Sequence, residues 1–182
     1  LDQGTWQLLR DYLQWAAYKD LRIEHGLAYS PEVERSAYGS SSFFSISAEV
    51  DREDVAQTEQ RLHDLLQRLA KDGMDDATVE RLRSVALARQ NWTAQGNSAL
   101  ADTYWSSLGS YEEGRFADPA PELRKIHTAQ LDAALNLLLK QPSYLRVEQP
   151  LLSSSGLYVV GVVAALILLL ALVGLVSLLR RR

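Results

Sequence analysis

The sequence contains no cysteine, which excludes disulfide bonds, thiol catalysis and cysteine-based zinc sites within these 182 residues. Histidine is also scarce, since His25, His63 and His127 are the only three. None has a second histidine three or four residues away, so HExxH and HxxEH are both missing, and no helix can present two imidazoles to zinc. A serine-nucleophile elbow and a Walker A loop are missing too. The sequence therefore contains no self-sufficient hydrolytic or nucleotide site.

Charge is absent from residues 157–179. With a rise of about 1.5 Å per residue, a helix of this length measures about 34 Å, slightly more than the hydrocarbon thickness of a bilayer. We therefore predict a transmembrane helix at 157–179. Three arginines follow at 180–182, and the positive-inside rule places this end in the cytoplasm. The preceding domain is then expected outside the cytoplasm, which means the periplasm in a Gram-negative bacterium.

The start of the chain lacks a methionine, a basic segment and the apolar core of a signal peptide, so we expect a longer precursor. The change in composition predicts a domain at 1–149, a linker at 150–156, the transmembrane helix and a cytoplasmic basic tail at 180–182. All 23 acidic residues precede position 151 with 16 of the 19 basic ones, which gives this part a net charge of −7. So acidic a domain, with no basic stripe, is not expected to bind nucleic acid.

Hydrophobic periodicity predicts more helix than strand. The predicted helices cover about 5–22, 55–71, 76–89, 98–108 and 128–138, and the predicted strands cover 28–33, 41–50 and 144–148. Residues 111–123 contain two prolines and are predicted to form a loop. The expected fold class is α+β, with a small, mostly antiparallel sheet and helices packed on one face. Because such a narrow sheet is marginal, we expect further strands of the domain upstream of Leu1.

The stretch LRIEHGLAYS, residues 21–30, concentrates reactive side chains in a short segment. Arg22 falls at the predicted end of a helix, Tyr29 falls at the start of a strand, and Gly26 allows the reversal between them. The two side chains could therefore point into one space. A guanidinium and a phenol can each donate a hydrogen bond to a carbonyl oxygen or to the oxyanion it becomes. On composition alone, however, a surface arginine and a strand tyrosine remain the favoured interpretation.

Other candidate groups have weaker support. Glu24 and His25 have no second metal ligand at helical spacing, so they are interpreted as ordinary side chains. Glu112 and Glu113 are adjacent on a predicted loop, where their carboxylates point apart and are solvated. The aromatic residues Trp92, Tyr104, Trp105 and Tyr111 are more typical of a helix core than of a stacking platform.

The order of these segments resembles a known family. LRIEHGLAYS is preceded by a helix ending in YKD and followed by the strand SSFFSISAEV. The long EQRLHDLLQRLAKDGMDDATVERLRSVALAR and the later IHTAQLDAALNLLL complete the pattern. It resembles the C-terminal, non-zinc half of the insulinase/pitrilysin-type metallopeptidases over roughly residues 5–148, although DGMDDATVERL matches its family counterpart only loosely.

The resemblance implies roles for two residues of this chain. Arg22 and Tyr29 match the family's Arg/Tyr pair, which holds and polarises the scissile carbonyl of a peptide or unfolded polypeptide. No cofactor is expected within this chain, because zinc and its HxxEH motif would belong to a partner domain or subunit. The implied function is the zinc-lacking half of a membrane-anchored peptidase, a metallopeptidase component that is not self-sufficient within these residues.

Two alternatives remain open from the sequence. One is a catalytically inactive family member that serves as a structural or chaperone-like partner at the membrane. The other discards the resemblance and leaves a membrane-tethered α/β binding domain, in which Arg22 and Tyr29 would project to opposite faces. In the first alternative the chain belongs to the family but takes part in no reaction. In the second it has neither the family membership nor the reaction.

Overall fold

A computed structural model of the chain describes residues 2–38, 41–93, 105, 111–112, 115–116, 120–148 and 154–180. For 37–38, 41, 90–93, 111–112, 115–116, 154–155 and 173–180 it describes the backbone only. The helices are α1 Gln3–Ala17, α2 Val55–Asp72, α3 Asp76–Thr93, α4 Ala120–Lys125, α5 Thr128–Leu139 and α6 Ser154–Arg180. The strands are β1 Glu32–Tyr38, β2 Ser41–Ser47, β3 Tyr111–Glu112 and β4 Arg115–Phe116. The described part is mostly helical with a small antiparallel sheet, so the α+β class is confirmed at this level.

Helix α1 is the centre of the main core. It begins at Asp2, whose carboxylate accepts hydrogen bonds from the backbone N–H and the hydroxyl of Thr5, both at 2.7 Å. Its apolar residues recur at spacings of three and four, so they form one buried stripe. The stripe packs with the buried face of α5, and the fully buried leucines of the two helices are Leu8, Leu9, Leu13, Leu131 and Leu135.

A second helical form follows α1 directly. Tyr18–Glu24 is a π-helix, in which hydrogen bonds join residues five apart instead of four. The sequence predicted one α-helix continuing to Arg22, so the end of that prediction is wrong. The prediction failed because periodicity over a single turn does not distinguish a spacing of four from a spacing of five.

The sheet of β1 and β2 is an antiparallel hairpin that pairs Glu32 with Ser47 and Tyr38 with Ser41. The predicted strand at 28–33 is therefore wrong by several residues, and the strand predicted at 41–50 ends early. Pro31 explains both differences, because it has no N–H to extend the ladder beyond Glu32. Val33 is buried in the main core, and Phe44 and Ile46 pack against it.

The predicted bounds of α2 and the predicted start of α3 agree with the structure to within one residue, whereas α3 continues four residues beyond its predicted end, to Thr93. Gly73 ends α2 with a φ of 81°, and its N–H donates to the carbonyl of Leu69 at 3.1 Å. Asp75 begins α3, because its carboxylate accepts from the N–H of Thr78 at 2.8 Å. The N–H of Asp75 donates to the hydroxyl of the buried Tyr12 at 3.0 Å, which connects this turn to α1.

Three predictions in the later part of the chain need correction. The predicted loop at 111–123 contains the paired β3 and β4 and the start of α4. Pro121 is tolerated in the first turn of α4, where the backbone N–H needs no helical partner. The predicted strand at 144–148 is wrong, because residues 142–148 have no regular structure and Tyr144 is 89% exposed. The predicted helix at 98–108 lies outside the described residues, apart from residue 105.

The chain divides into two compact units, Leu1–Pro142 and Ser143–Arg182. The first unit contains the helices α1–α5 and both sheets, and the second contains α6. Among the described residues, no helix combines the length and the apolar character needed to cross a membrane. The structure therefore gives no support to the transmembrane helix predicted at 157–179.

Candidate functional site

The structure brings Arg22 and Tyr29 together. The guanidinium carbon of Arg22 lies 4.3 Å from the centroid of the Tyr29 ring, within the range of a cation–π contact. Both side chains are exposed, Tyr29 to 75%. The prediction that they share one space is confirmed, and the opposite-face arrangement expected of a plain binding domain is not found.

The π-helix determines where Arg22 points. Leu21 is fully buried, whereas Arg22, Ile23 and Glu24 are all exposed. Leu21 forms a small second core with Leu27 and Ala28, against which Ala48, Val50 and Leu62 pack. Because its neighbour Leu21 is held in this core, Arg22 is fixed at the surface close to the turn that follows.

Gly26 reverses the chain between the two site residues. Its φ is +63°, in the left-handed region that side chains with a Cβ rarely adopt. The reversal is closed by the N–H of Leu27, which donates to the carbonyl of Leu21 at 2.7 Å. This short bond returns the chain to the end of the π-helix, and it accounts for the proximity of residues 22 and 29.

The segment carrying Tyr29 is attached to the domain on both sides. Ala28 forms an isolated antiparallel bridge with Val50. Beyond Tyr29, the Gln14 side chain donates to the Pro31 carbonyl at 2.8 Å and accepts from the Val33 N–H at 2.7 Å. Gln14 thus binds the entry of β1 to α1. Sequence reasoning missed it, because a polar residue between apolar positions of a helix is typical of an exposed face.

A buried carboxylate lies next to the pair. Asp20 is 3% exposed, and its Oδ1 lies 3.3 Å from Nη2 of Arg68 on α2. His25 Nδ1 is 2.7 Å from the Asp20 carbonyl oxygen and 3.7 Å from its carboxylate. Asp20 was also missed, although it follows Ala16 and Ala17 at spacings of four and three. A charged residue on the buried stripe of a helix was the available signal.

Asp20, Glu24 and His25 can each place one potential ligand atom within 4.8 Å of the others. In the described ranges this is the one group of three or more such residues. Sequence spacing did not identify Asp20 as a neighbour of Glu24 and His25, and the structure places the three together. The companion comes from the buried residue that precedes them, not from a second histidine.

The remaining sequence candidates add nothing to this site. Glu113 and Tyr104 lie outside the described residues, and for Trp92, Tyr111 and Glu112 the structure describes the backbone only. Trp105 is 79% exposed, so the helix-core interpretation is wrong for this residue.

Comparison with known families gives a match over part of the chain. Residues 2–85 match the family model described as the Peptidase M16 inactive domain. The predicted family resemblance is confirmed over this segment. No curated protein matches the chain.

The matched M16 segment runs from the start of α1 into α3 and includes Arg22, Tyr29 and their supporting residues. It is consistent with the C-terminal, non-zinc half of the insulinase-type family, and it fits a chain that lacks the family's zinc site. The match ends at residue 85, before the limit of 148 expected from the sequence.

Proposed function

We propose that this chain is the zinc-lacking, Arg/Tyr-bearing half of a membrane-anchored M16-type metallopeptidase. Its substrate would be a peptide or an unfolded polypeptide, and its partner would be a zinc-bearing M16 domain or subunit. The observation that carries the proposal is the contact of Arg22 with Tyr29 on an exposed surface of the matched segment.

The geometry leaves the donors of this pair available. A cation–π contact uses the face of the guanidinium and leaves its five N–H groups in the plane for other acceptors. In the part of the chain that the structure describes, neither these groups nor the Tyr29 hydroxyl has a hydrogen bond or an ion pair. An external carbonyl oxygen would therefore meet an unoccupied set of donors.

The role of the pair follows from its charge. During peptide hydrolysis the carbonyl oxygen gains negative charge, and a fixed cation with N–H donors stabilises that charge more than the neutral ground state. The partner's zinc would supply the activated water. Arg22 would orient and polarise the carbonyl, and Tyr29 would hold the guanidinium from one face while donating its own O–H.

Substitution in the assembled complex tests the proposal. Arg22→Ala should reduce peptide turnover on the order of 10²-fold, as loss of an oxyanion donor does in other enzymes. Tyr29→Phe keeps the ring under the guanidinium and removes only the hydroxyl, so it should have a smaller effect. Arg124→Ala and Tyr144→Phe change exposed residues outside the matched residues 2–85 and serve as controls. Unchanged turnover in Arg22→Ala would refute the proposed role.

A catalytically inactive partner is the competing function within the family. It predicts that the assembled complex hydrolyses no peptide with any metal, while loss of this chain still prevents assembly of a companion protein. Purification from membranes, followed by metal analysis of each associated chain, separates the two functions. Zinc in a companion chain together with peptide hydrolysis would favour the peptidase.

Membrane attachment is part of the proposal and rests on the uncharged segment 157–179 and the three arginines after it. Large apolar side chains of the described part of α6 are exposed, including Leu166, Leu168 and Leu170 at 56%, 70% and 68%. Because the chain has no cysteine, single cysteines can report its topology. In sealed, right-side-out vesicles, Ser143→Cys should react with an impermeant maleimide and Arg182→Cys should not. Equal labelling before lysis would refute this topology.

A further inference from the structure

One oxygen of the buried Asp20 carboxylate accepts no hydrogen bond in the described part of the chain, although Nδ1 of His25 lies 3.7 Å from it. Oδ1 of Asp20 lies 3.3 Å from Arg68, but Oδ2 has no hydrogen-bond partner within the described part of the chain. The Asp20 side chain is only 4% exposed, so water does not readily replace the missing donor. A buried anionic oxygen without a partner is unfavourable by several kcal/mol unless a cation or a donor reaches it.

His25 keeps one ring nitrogen that can bind a cation. The Asp20 carbonyl can only accept, so the 2.7 Å contact requires that Nδ1 of His25 carries the proton and donates it. In the neutral ring the lone pair is then on Nε2. Metal-binding histidines commonly have this arrangement, with one nitrogen bonded to a backbone carbonyl and the other available for the metal.

We propose that Asp20, Glu24 and His25 form a binding site for a divalent cation of the zinc class. One potential ligand atom from each residue already lies within 4.8 Å of the other two, and Asp20 also carries a buried oxygen that accepts no hydrogen bond in the described part of the chain. Two carboxylates and one imidazole suit Zn²⁺, which binds both oxygen and nitrogen ligands. Mg²⁺ is less suited, because it prefers oxygen ligands and retains its waters.

Two cationic side chains compete for the same carboxylates. Arg68 contacts Asp20, and Lys19 lies 3.4 Å from Glu24. The Lys19 and Glu24 side chains are 53% and 44% exposed, so this ion pair is weak and can give way to a divalent ion. Arg68 can also remain on Oδ1 of Asp20 while the ion is bound through Oδ2.

The site would act on the segment that positions Arg22. Asp20 and Glu24 lie on the π-helix on either side of Arg22, and His25 adjoins Gly26, where the chain reverses. A cation that joins the three would fix the π-helix to this reversal and so hold the side chain of Arg22 next to Tyr29. This is a structural, positioning site, and it is separate from the zinc that the proposed peptidase partner would hold.

Zinc titration of the purified full chain in detergent tests the site. Calorimetry with ZnCl₂ should give one bound ion per chain, with MgCl₂ binding at least about tenfold more weakly. Glu24→Gln and His25→Gln should each weaken zinc binding by at least about tenfold, as expected for loss of one of three ligands. His63→Gln is the matched control, because the exposed His63 lies 3.9 Å from Asp64 and 3.3 Å from the Gln67 amide, outside the proposed ligand group, and it should leave the affinity unchanged.

Imidazole NMR of the same samples gives a second measurement. Zinc should shift the Nε2 resonance of His25, while Nδ1 retains its proton. Binding that survives His25→Gln, or that shifts His63 or His127 instead, would overturn the proposal, as would the absence of any binding. None of these outcomes depends on peptide hydrolysis, so failure of the metal site and failure of the proposed peptidase role can be distinguished.

Discussion

The attachment of β1 to α1 through Gln14 gives a sharp prediction. One amide side chain satisfies two backbone groups, with bonds of 2.8 Å to the Pro31 carbonyl and 2.7 Å from the Val33 N–H. Pro31 is buried and Val33 is 3% exposed, so water has little access to either group. In Gln14→Leu, a side chain of similar size replaces the amide and leaves both groups without a partner.

The expected loss can be worked out from these two bonds. A buried backbone group left without a partner is unfavourable by about 1–3 kcal/mol. Two such groups give a loss of about 2–6 kcal/mol, which is large beside the total of about 5–15 kcal/mol that is typical of a domain. Gln14→Glu keeps the acceptor for the Val33 N–H but turns a carboxylate oxygen toward the Pro31 carbonyl oxygen, so it should lose the Pro31 bond and add repulsion between the two oxygens.

Urea unfolding of the full chain in mild detergent measures the effect, with tryptophan fluorescence reporting on Trp6 and Trp15 of α1. Gln7→Leu is the control, because Gln7 is exposed on the same helix, and its stability should stay within about 0.5 kcal/mol of the parent. A loss below about 0.5 kcal/mol in Gln14→Leu would mean that water satisfies these groups, contrary to the burial argument. Since Gln14 also fixes the segment after Tyr29, the variant should in addition weaken any activity that depends on the Arg22–Tyr29 pair.

Two further predictions concern Gly26 and Asp75. A Cβ at Gly26 would meet no atom within 4 Å, so Gly26→Ala should lower the free energy of unfolding by about 1–2 kcal/mol through its φ of +63° alone, and Gly26→Asn should lower it less. Equal losses in urea unfolding would refute that cause. Hydrogen bonds from the side chain and backbone of Thr78 lower the pKa of Asp75, so the ionised carboxylate stabilises the fold above about pH 4, and this contribution is lost as the pH falls through the lowered pKa. Asp75→Asn keeps a capping acceptor but does not titrate, so its melting temperature should fall less than that of the parent between pH 7 and pH 3. Asp51→Asn, at a position that makes no side-chain cap bond, should behave like the parent.

The sequence predicted a helix end correctly where a single residue, such as a capping aspartate or a glycine, marks that end. Asp75 and Gly73 mark the turn between α2 and α3, because a capping carboxylate and a glycine with positive φ act within one turn of the helix. The strand at 144–148 failed for the opposite reason. Its residues alternate as a strand does, but a strand also needs a partner, and sequence alternation contains no information about one.

The candidate site likewise contains residues that the sequence could identify and residues that it could not. Arg22 and Tyr29 could be found because family resemblance and the glycine between them both point to that stretch. Asp20 could not be assigned a role, since its burial depends on the π-helix and its ion pair comes from Arg68, 48 positions later in the chain. Long-range pairings of this kind depend on how the helices pack, which periodicity within one helix does not contain.

The position of the Arg22–Tyr29 pair depends on irregular elements more than on the sheet. A π-helix, a glycine with positive φ and an isolated bridge occur within residues 18–28, and each is attached to the interior by a different group. Leu21 packs in the small core, the Leu27 N–H returns to the carbonyl of Leu21, and Ala28 pairs with Val50. Irregular backbone is less favourable than a regular helix or strand, so its presence needs compensating contacts, and these three supply them. Because the attachments are separate, loss of one should displace the pair while leaving the main core folded, which is the behaviour expected of a site built for precise placement of two side chains.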